Sequence, residues 1–162
     1  MPRKIRVCFV CLGNICRSPT AEGVFRHLVS AAKLDSAFEI ESAGTAGYHS
    51  GQAPDSRARA AGRRAGIPID GQARQFLSVD FERFDYVIAM DATNSADLAR
   101  LARSPELVSK IRLLRSFDPA APAQAPIPDP YYGSASDFDE VLELCLVACR
   151  HLLGEIRAEH RL

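Results

Sequence analysis

Val7-Cys8-Phe9-Val10-Cys11-Leu12-Gly13-Asn14-Ile15-Cys16-Arg17-Ser18-Pro19-Thr20 passes from a β-rich apolar run, begun at Ile5, through a tight loop into the start of a helix. Gly13 permits a sharp loop, Ser18 can cap a helix, and Pro19 suits its first turn. Ala21, Val24, Phe25, Leu28 and Ala32 then recur at helical spacing, so the helix points its N-terminal amides back at the loop. Unpaired N–H groups and the positive end of the helix dipole favour a bound phosphate, and they favour a thiolate for the same reason. The loop reads as a nucleophile held in an anion site. Its C-x5-R-S spacing carries little by itself: about one residue in ten is Arg, so the 5 cysteines would give roughly half a C-x5-R match by chance. The strand before it and the helix after it carry the weight.

Downstream, Phe38-Glu39-Ile40-Glu41-Ser42 alternates as a second strand, and Gly44, Gly47 and Gly51 mark a loop. A helix is predicted from Pro54-Asp55 to Gly66, with Ile67 covering a glycine C-cap and Pro68 blocking continuation. Phe84 to Met90 reads as the third strand, Asp91 to Asn94 offers caps for a helix ending near Arg103, and Lys110 to Leu114 makes a fourth strand. Five prolines between Ser116 and Gly133 (Pro119, Pro122, Pro126, Pro128 and Pro130) prohibit regular structure there, a loop of unusual length for a compact domain. Ser136 with Asp139 resembles a cap pair opening a last helix that runs to about Ile156, after which residues 157–162 fray. Strands alternating with helices specify an α/β domain with a mostly parallel sheet and helices on both faces. Ligands in such sheets bind beyond the carboxyl ends of the strands, where the Cys11 loop falls and where the proline-rich loop can reach over it.

The 162 residues, 47% of them hydrophobic, suffice for one core and are expected to form one domain. The 20 basic residues equal the 20 acidic ones, so no global field recruits nucleic acid or an anionic membrane, and any anion site is local. Met1 to Arg6 runs straight into a strand with no long apolar segment, which predicts neither a signal peptide nor a membrane span and a cytoplasmic location. An odd cysteine count in a chain of this size argues against a disulfide framework, so reduced thiols are expected. Cys8 and Cys11 with Cys145 and Cys149 could in principle hold zinc, yet Cys8 lies in an apolar strand and the later pair on a helical stripe with Phe138, Val141, Leu142, Ala148 and Leu152.

A free thiol has a pKa of about 8.5, so near neutrality roughly 3% is thiolate and full ionisation gains at most about 30-fold. That is only about 2 kcal/mol against phosphate-monoester hydrolysis, where accelerations reach ~10²¹. Positioning and charge must supply the rest. Amides from Leu12 to Arg17 can hold the equatorial phosphoryl oxygens while the Arg17 fork pairs with two of them, leaving sulfur in line with the leaving oxygen. No metal or other cofactor is required. The leaving oxygen needs a proton, and the long loop offers Asp118-Pro119 and Asp129-Pro130. Either Asp-Pro could merely initiate a turn. Asp129-Pro130-Tyr131-Tyr132-Gly133 adds two rings that could flank a flat phenyl phosphate, which favours Asp129.

With these residues in view, the chain resembles the low-molecular-weight protein tyrosine phosphatases across nearly its whole length. Cys11 to Ser18 resembles that family's phosphate loop, comprising Leu12, Gly13, Asn14, Ile15, Cys16 and Ser18 between nucleophile and helix, and Asp129 to Gly133 resembles its acid loop. Glu41-Ser42-Ala43-Gly44-Thr45 and Met90-Asp91 with Asn94 resemble its supporting segments. The resemblance implies a three-layer domain with a four-stranded parallel sheet in the order 2-1-3-4. It implies hydrolysis of phosphotyrosine in proteins through a cysteinyl-phosphate, with inhibition by phosphate and vanadate. Cys11 would be the nucleophile, Arg17 the phosphate clamp, and Asp129 the acid and then the base for water. Asn14 and Ser42 would hold the loop, Ser18 would donate to the sulfur, Asp91 would brace Arg17, and Tyr48, Tyr131 and Tyr132 would wall the cleft. His49 reads as solvated. A Cys11–Cys16 disulfide is implied as a redox switch. One departure stands out: where the family often carries a His bonded to the loop Asn, this chain has Gly71. An arsenate reductase, the nearest rival, needs relay cysteines, and none lies between Cys16 and Cys145. A phosphate-binding module without turnover would have no use for Cys11, Arg17 and Asp129 together.

Overall fold

A computed structural model describes residues 3–162. Strands β1 (Ile5–Cys11), β2 (Phe38–Gly44), β3 (Tyr86–Ala89) and β4 (Ile111–Leu113) form one parallel sheet in the order β2-β1-β3-β4. β1 is central, in register with β2 from Ile5↔Phe38 to Cys11↔Gly44 and with β3 from Val7↔Tyr86 to Val10↔Ala89. A central parallel strand is covered on both faces, which explains the apolar run from Val7 to Cys11. Ile5, Val7, Phe9 and Cys11 face one layer, formed by α1 (Arg17–Ala31) and α6 (Ala135–His160), where Cys145 and Cys149 are buried beside Val141, Leu142 and Leu152. Cys8 and Val10 face the other layer, with Phe76, Phe81, Phe84 and Leu98 from α3 (Asp80–Arg83), α4 (Ala92–Leu101) and their connections. Helix α2 (Ser56–Ala65) lies against α6, joining Ala58 and Ala61 to Ile15, Cys16 and Phe138. Among the described residues, no helix is long and apolar enough to cross a membrane.

The caps follow the chemistry of the sequence in two helices and depart from it in two. The Asp55 side chain accepts from Arg57 N at the start of α2, and Gly66 ends it in the left-handed region with Ile67 N donating to Gly62 O. Asp91 caps α4 through Asn94 N. Ser18, read as a cap, is not one: α1 begins at Arg17 with no side-chain cap, and the Ser18 hydroxyl is turned toward the loop. At α6 the capping box is Ser134 with Asp137 rather than Ser136 with Asp139. The sequence carries both Ser-x-x-Asp patterns two residues apart; the upstream one caps, and Asp139 instead pairs with Arg64 on α2. Nor does α6 end near Ile156. It continues to His160 because the Tyr86 hydroxyl bonds Glu159 and His160, tying the last turn to β3. Helices α3 and α5 (Pro105–Val108) escape sequence reading because four residues are too few to show a period. After a 3₁₀ turn at Leu114–Phe117, residues 118–134 contain neither helix nor strand, as the prolines dictate.

Candidate active site

The loop between β1 and α1 is held from outside by its carbonyls. Cys11 O accepts from Thr45 N (2.8 Å), Leu12 O from Ala46 N (3.0 Å), Ile15 O from Asp55 N (2.8 Å), and Cys16 O from the Thr20 hydroxyl (2.7 Å) and Thr20 N (3.3 Å). All peptide bonds among the described residues are trans, so each N–H opposes the carbonyl of its own peptide plane. The amides of Leu12, Gly13, Cys16 and Arg17 therefore face the other way, into the loop. With the start of the 15-residue α1 they form an anion cradle.

Asn14 keeps the loop in shape. Its φ is +58°, a left-handed conformation in which asparagine is one of the few tolerated side chains. The side chain is buried; its Nδ2 donates to Ser18 Oγ (2.7 Å) and Ser42 Oγ (3.0 Å), and its Oδ1 accepts from Arg74 N (3.0 Å). Ser42 in turn donates to Glu22 (2.6 Å). Gly71, the position at which the sequence departs from the resemblance, lies at φ +107°, beside a cavity of about 170 Å³ that Asn14, Ser42 and Arg74 also line. Arg74 is fixed by Asp80 (3.1 Å) and Glu41 (3.6 Å), so the amide that supports Asn14 belongs to an anchored residue.

Cys11 is 3% exposed, and what it exposes is the floor of a cavity of about 300 Å³ that Arg17, Asp129, Leu12, Ile15 and Tyr131 also line. Its Sγ lies 3.0 Å from Ser18 Oγ, which is also 3.3 Å from Ala43 O. Because Asn14 already donates to Ser18, the one hydroxyl proton can go to the carbonyl when sulfur is protonated and to sulfur when it is an anion. Arg17 is 4% exposed; its Nη1 donates to Asp91 (2.6 Å) and to Ile127 O (3.0 Å), and its Nη2 lies 3.9 Å from Asp129. Asp91 braces Arg17 with one oxygen and caps α4 with the other. Cys16, also on the cavity wall, has its thiol pushed up to about 12 by burial, with Asp55, Cys11 and Asp129 adding negative charge nearby.

Of the two Asp-Pro candidates, both carboxylates make the turn bond foreseen for them, Asp118 to Ala120 N and Asp129 to Tyr131 N. Asp129 alone of the two also lines the cavity. Tyr48, Tyr131 and Tyr132 form its rim, Tyr132 almost entirely exposed and set edge-on to Tyr131. His49, expected in solvent, is instead half-buried in the cavity wall, edge-on to Tyr48 and close enough to Gly13 to crowd any side chain there. Gly13 and Cys16 complete the wall, while Asn14, Ser18, Ser42 and Asp91 stand behind it. Sequence reading missed Ile127, whose N–H donates to Met90 O and whose carbonyl takes Arg17. It also missed Glu22, Arg74 and Arg57. An acidic residue in the first turns of α1 was the one available hint for Glu22; a main-chain role at Ile127 leaves no mark in the sequence.

The chain is similar to known proteins over nearly its whole length. The family model described as low molecular weight phosphotyrosine protein phosphatase matches residues 6–162. A low molecular weight protein-tyrosine-phosphatase of Streptomyces coelicolor is 47% identical over 155 residues, covering 95% of this chain and 94% of that protein. The human low molecular weight phosphotyrosine protein phosphatase is 46% identical over 148 residues, covering 91% and 92%. Among solved structures, a protein tyrosine phosphatase from Entamoeba histolytica, crystallised with Hepes in its active site, superposes with a TM-score of 0.92 at 36% identity, covering 98% of this chain and 100% of that one.

Proposed function

The chain belongs to the low molecular weight phosphotyrosine protein phosphatase family, and on that premise we propose how its residues hydrolyse the phosphate ester. Members of this family are hydrolases acting on phosphoric monoesters, with phosphoproteins as substrates and a cysteinyl-phosphate as intermediate. Residues 1–162 act as one catalytic domain, in the cytoplasm, on phosphotyrosine. The phosphoryl oxygens take the inward amides of the Leu12–Arg17 loop and the Arg17 guanidinium, already oriented by Asp91 and Ile127 O. Cys11 thiolate attacks phosphorus in line; the P–O bond to the phenol breaks, and Asp129 delivers its proton to the leaving oxygen. Asp129, now a carboxylate, takes a proton from water as that water attacks the cysteinyl-phosphate. Inorganic phosphate leaves, and Ser18 steadies the departing thiolate. Tyr48 and Tyr131 wall a cavity of about 300 Å³ with room for an aryl ester, which favours phosphotyrosine over the shorter phosphoserine. Phosphate and vanadate compete for the same cradle.

The observation that carries this reading is the convergence on one cavity of Cys11 and Arg17, from one loop, with Asp129, from a segment far away in sequence. The test is hydrolysis of p-nitrophenyl phosphate. Activity is expected to survive chelators, to be blocked by vanadate, and to vanish in Cys11→Ser while that variant still folds. Full activity in Cys11→Ser, or loss of activity on chelation, refutes the mechanism.

A further inference from the structure

Helix α2 carries four arginines, Arg57, Arg59, Arg63 and Arg64, a pattern that suits a solvated face or one that steers an acidic partner, yet Arg57 is not free in solvent. Its Nη2 donates to Tyr131 O (2.9 Å) and its Nη1 to Gly133 O (3.3 Å), the carbonyls that bracket the tip of the acid loop. Its guanidinium lies over the Phe138 ring at 4.5 Å and the Tyr131 ring at 5.7 Å. The other side of the fork is gripped by Asp55, with Nε and Nη2 at 3.1 and 3.0 Å from the two carboxylate oxygens. Asp55 is itself fixed: its carboxylate caps α2 through Arg57 N, and its own N–H donates to Ile15 O in the phosphate loop. One chain of contacts thus runs from the loop that holds the phosphate to the loop that holds the acid.

We propose that Arg57 is a positioning residue that sets Asp129 against the leaving oxygen by clamping the acid loop to Asp55 and the phosphate loop. The inference rests on Asp129 being the general acid. The acid loop needs such a clamp: residues 118–134 contain neither helix nor strand, Asp129 is 49% exposed, and its own carboxylate bonds only locally, to Tyr131 N, besides its 3.9 Å approach to Arg17. Ile127, bonded to Met90 O, fixes the upstream arm. Arg57 fixes the downstream arm at Tyr131 and Gly133. Asp129 sits between these two anchors, so releasing one lets the carboxyl swing on the other. The phosphate cradle does not depend on Arg57, because Ile15 O is held by the Asp55 main chain rather than its side chain.

The role predicts a signature that general destabilisation does not produce. A displaced acid matters when the leaving phenolate is basic and matters little when it is already stable. The experiment compares kcat/KM for phenyl phosphate and p-nitrophenyl phosphate in the parent, Arg57→Ala, Arg57→Lys, Asp129→Asn and the double variant Arg57→Ala/Asp129→Asn. The ratio of the two constants cancels any loss of active protein. Arg57→Ala is expected to lower kcat/KM for phenyl phosphate about 10-fold or more, and that for p-nitrophenyl phosphate less than about 3-fold, since misplacement of a catalytic group by about 1 Å can cost ~10²-fold. Arg57→Lys, able to reach one carbonyl without the fork, falls between, and supplies the ratio should the alanine variant not fold. In Asp129→Asn the substitution at Arg57 is expected to leave the ratio unchanged. Equal losses on both substrates in Arg57→Ala, or the same differential persisting without Asp129, overturn the role of Arg57. An Asp129→Asn variant with no leaving-group dependence overturns the assignment of the acid itself, and this proposal with it.

Discussion

Removing the Asn14 side chain separates two contributions to the phosphate loop, its hydrogen bonds and its backbone conformation. Asn14 is buried, makes three hydrogen bonds of 2.7 to 3.0 Å through its amide, and holds φ at +58°. At about 1 kcal/mol net for each bond, Asn14→Gly loses about 3 kcal/mol, plus about 0.5–1 kcal/mol for the greater freedom of glycine in the unfolded chain. Asn14→Ala loses the same bonds and adds about 1–2 kcal/mol for a Cβ in the left-handed region. The two variants should therefore fall about 4 kcal/mol below the parent and differ from each other by no more than about 1.5 kcal/mol, within a domain stability of about 5–15 kcal/mol. For a chain of this size the melting temperature should drop by about 8–16 °C. Catalysis suffers separately, because Ser18 loses the donor that orients its hydroxyl toward Cys11 and the loop amides lose their spacing; kcat/KM should fall by about 10². Urea unfolding gives the stability, and p-nitrophenyl phosphate hydrolysis in native buffer gives the rate. A variant within about 1 kcal/mol of the parent would show that the three bonds do not hold the loop. A destabilised variant retaining kcat/KM within about 3-fold would show that the loop needs no such support to bind the transition state.

Three further outcomes follow from other parts of the structure. Peroxide should oxidise Cys11 to the sulfenic acid, and the Cys16 thiol should displace water from it to give a disulfide, so thiol reductant restores the parent but not Cys16→Ser; equal recovery of both removes this role for Cys16. The Arg57 guanidinium beside Asp55 holds that carboxyl below its usual range, so the pair stabilises the fold above the unfolded value of about 3.9 and this contribution is lost as pH falls through the lower folded value. Urea midpoints of Arg57→Ala should accordingly change less than those of the parent on going from pH 6 to pH 3, and parallel curves would contradict the linkage. Tyr86→Phe removes the hydroxyl that ties Glu159 and His160 to β3, and should cost about 1–2 kcal/mol with activity retained. Faster amide exchange confined to the last turn of α6 would register the loss; unchanged protection there would refute the anchoring.

The sequence alone determined the α/β class with its mostly parallel sheet and the placing of Cys11 and Arg17 in one loop; the strand order came with the family resemblance. A β-rich run from Ile5 to Val10 reads as a buried strand, the glycine and proline that follow allow a turn and a helix start, and strands alternating with helices imply a mostly parallel sheet. Cys11 and Arg17 share one short loop, so their meeting required no knowledge of the rest of the chain. The tertiary structure decided everything that depends on partners distant in sequence. Asp118 and Asp129 make the same local turn, and one of them faces the cavity because Ile127 and Arg57 anchor its loop. Ser18 could have been a cap and is instead a sulfur ligand, because Asn14 and Cys11 converge on its hydroxyl. Arg57 could have been a solvated charge, and two carbonyls more than 70 positions away make it a clamp. The physical reason is common to all three. Local propensity and spacing are written in side chains that are near neighbours, whereas a main-chain N–H or carbonyl is the same at nearly every residue, and its role is set by what the fold brings to it.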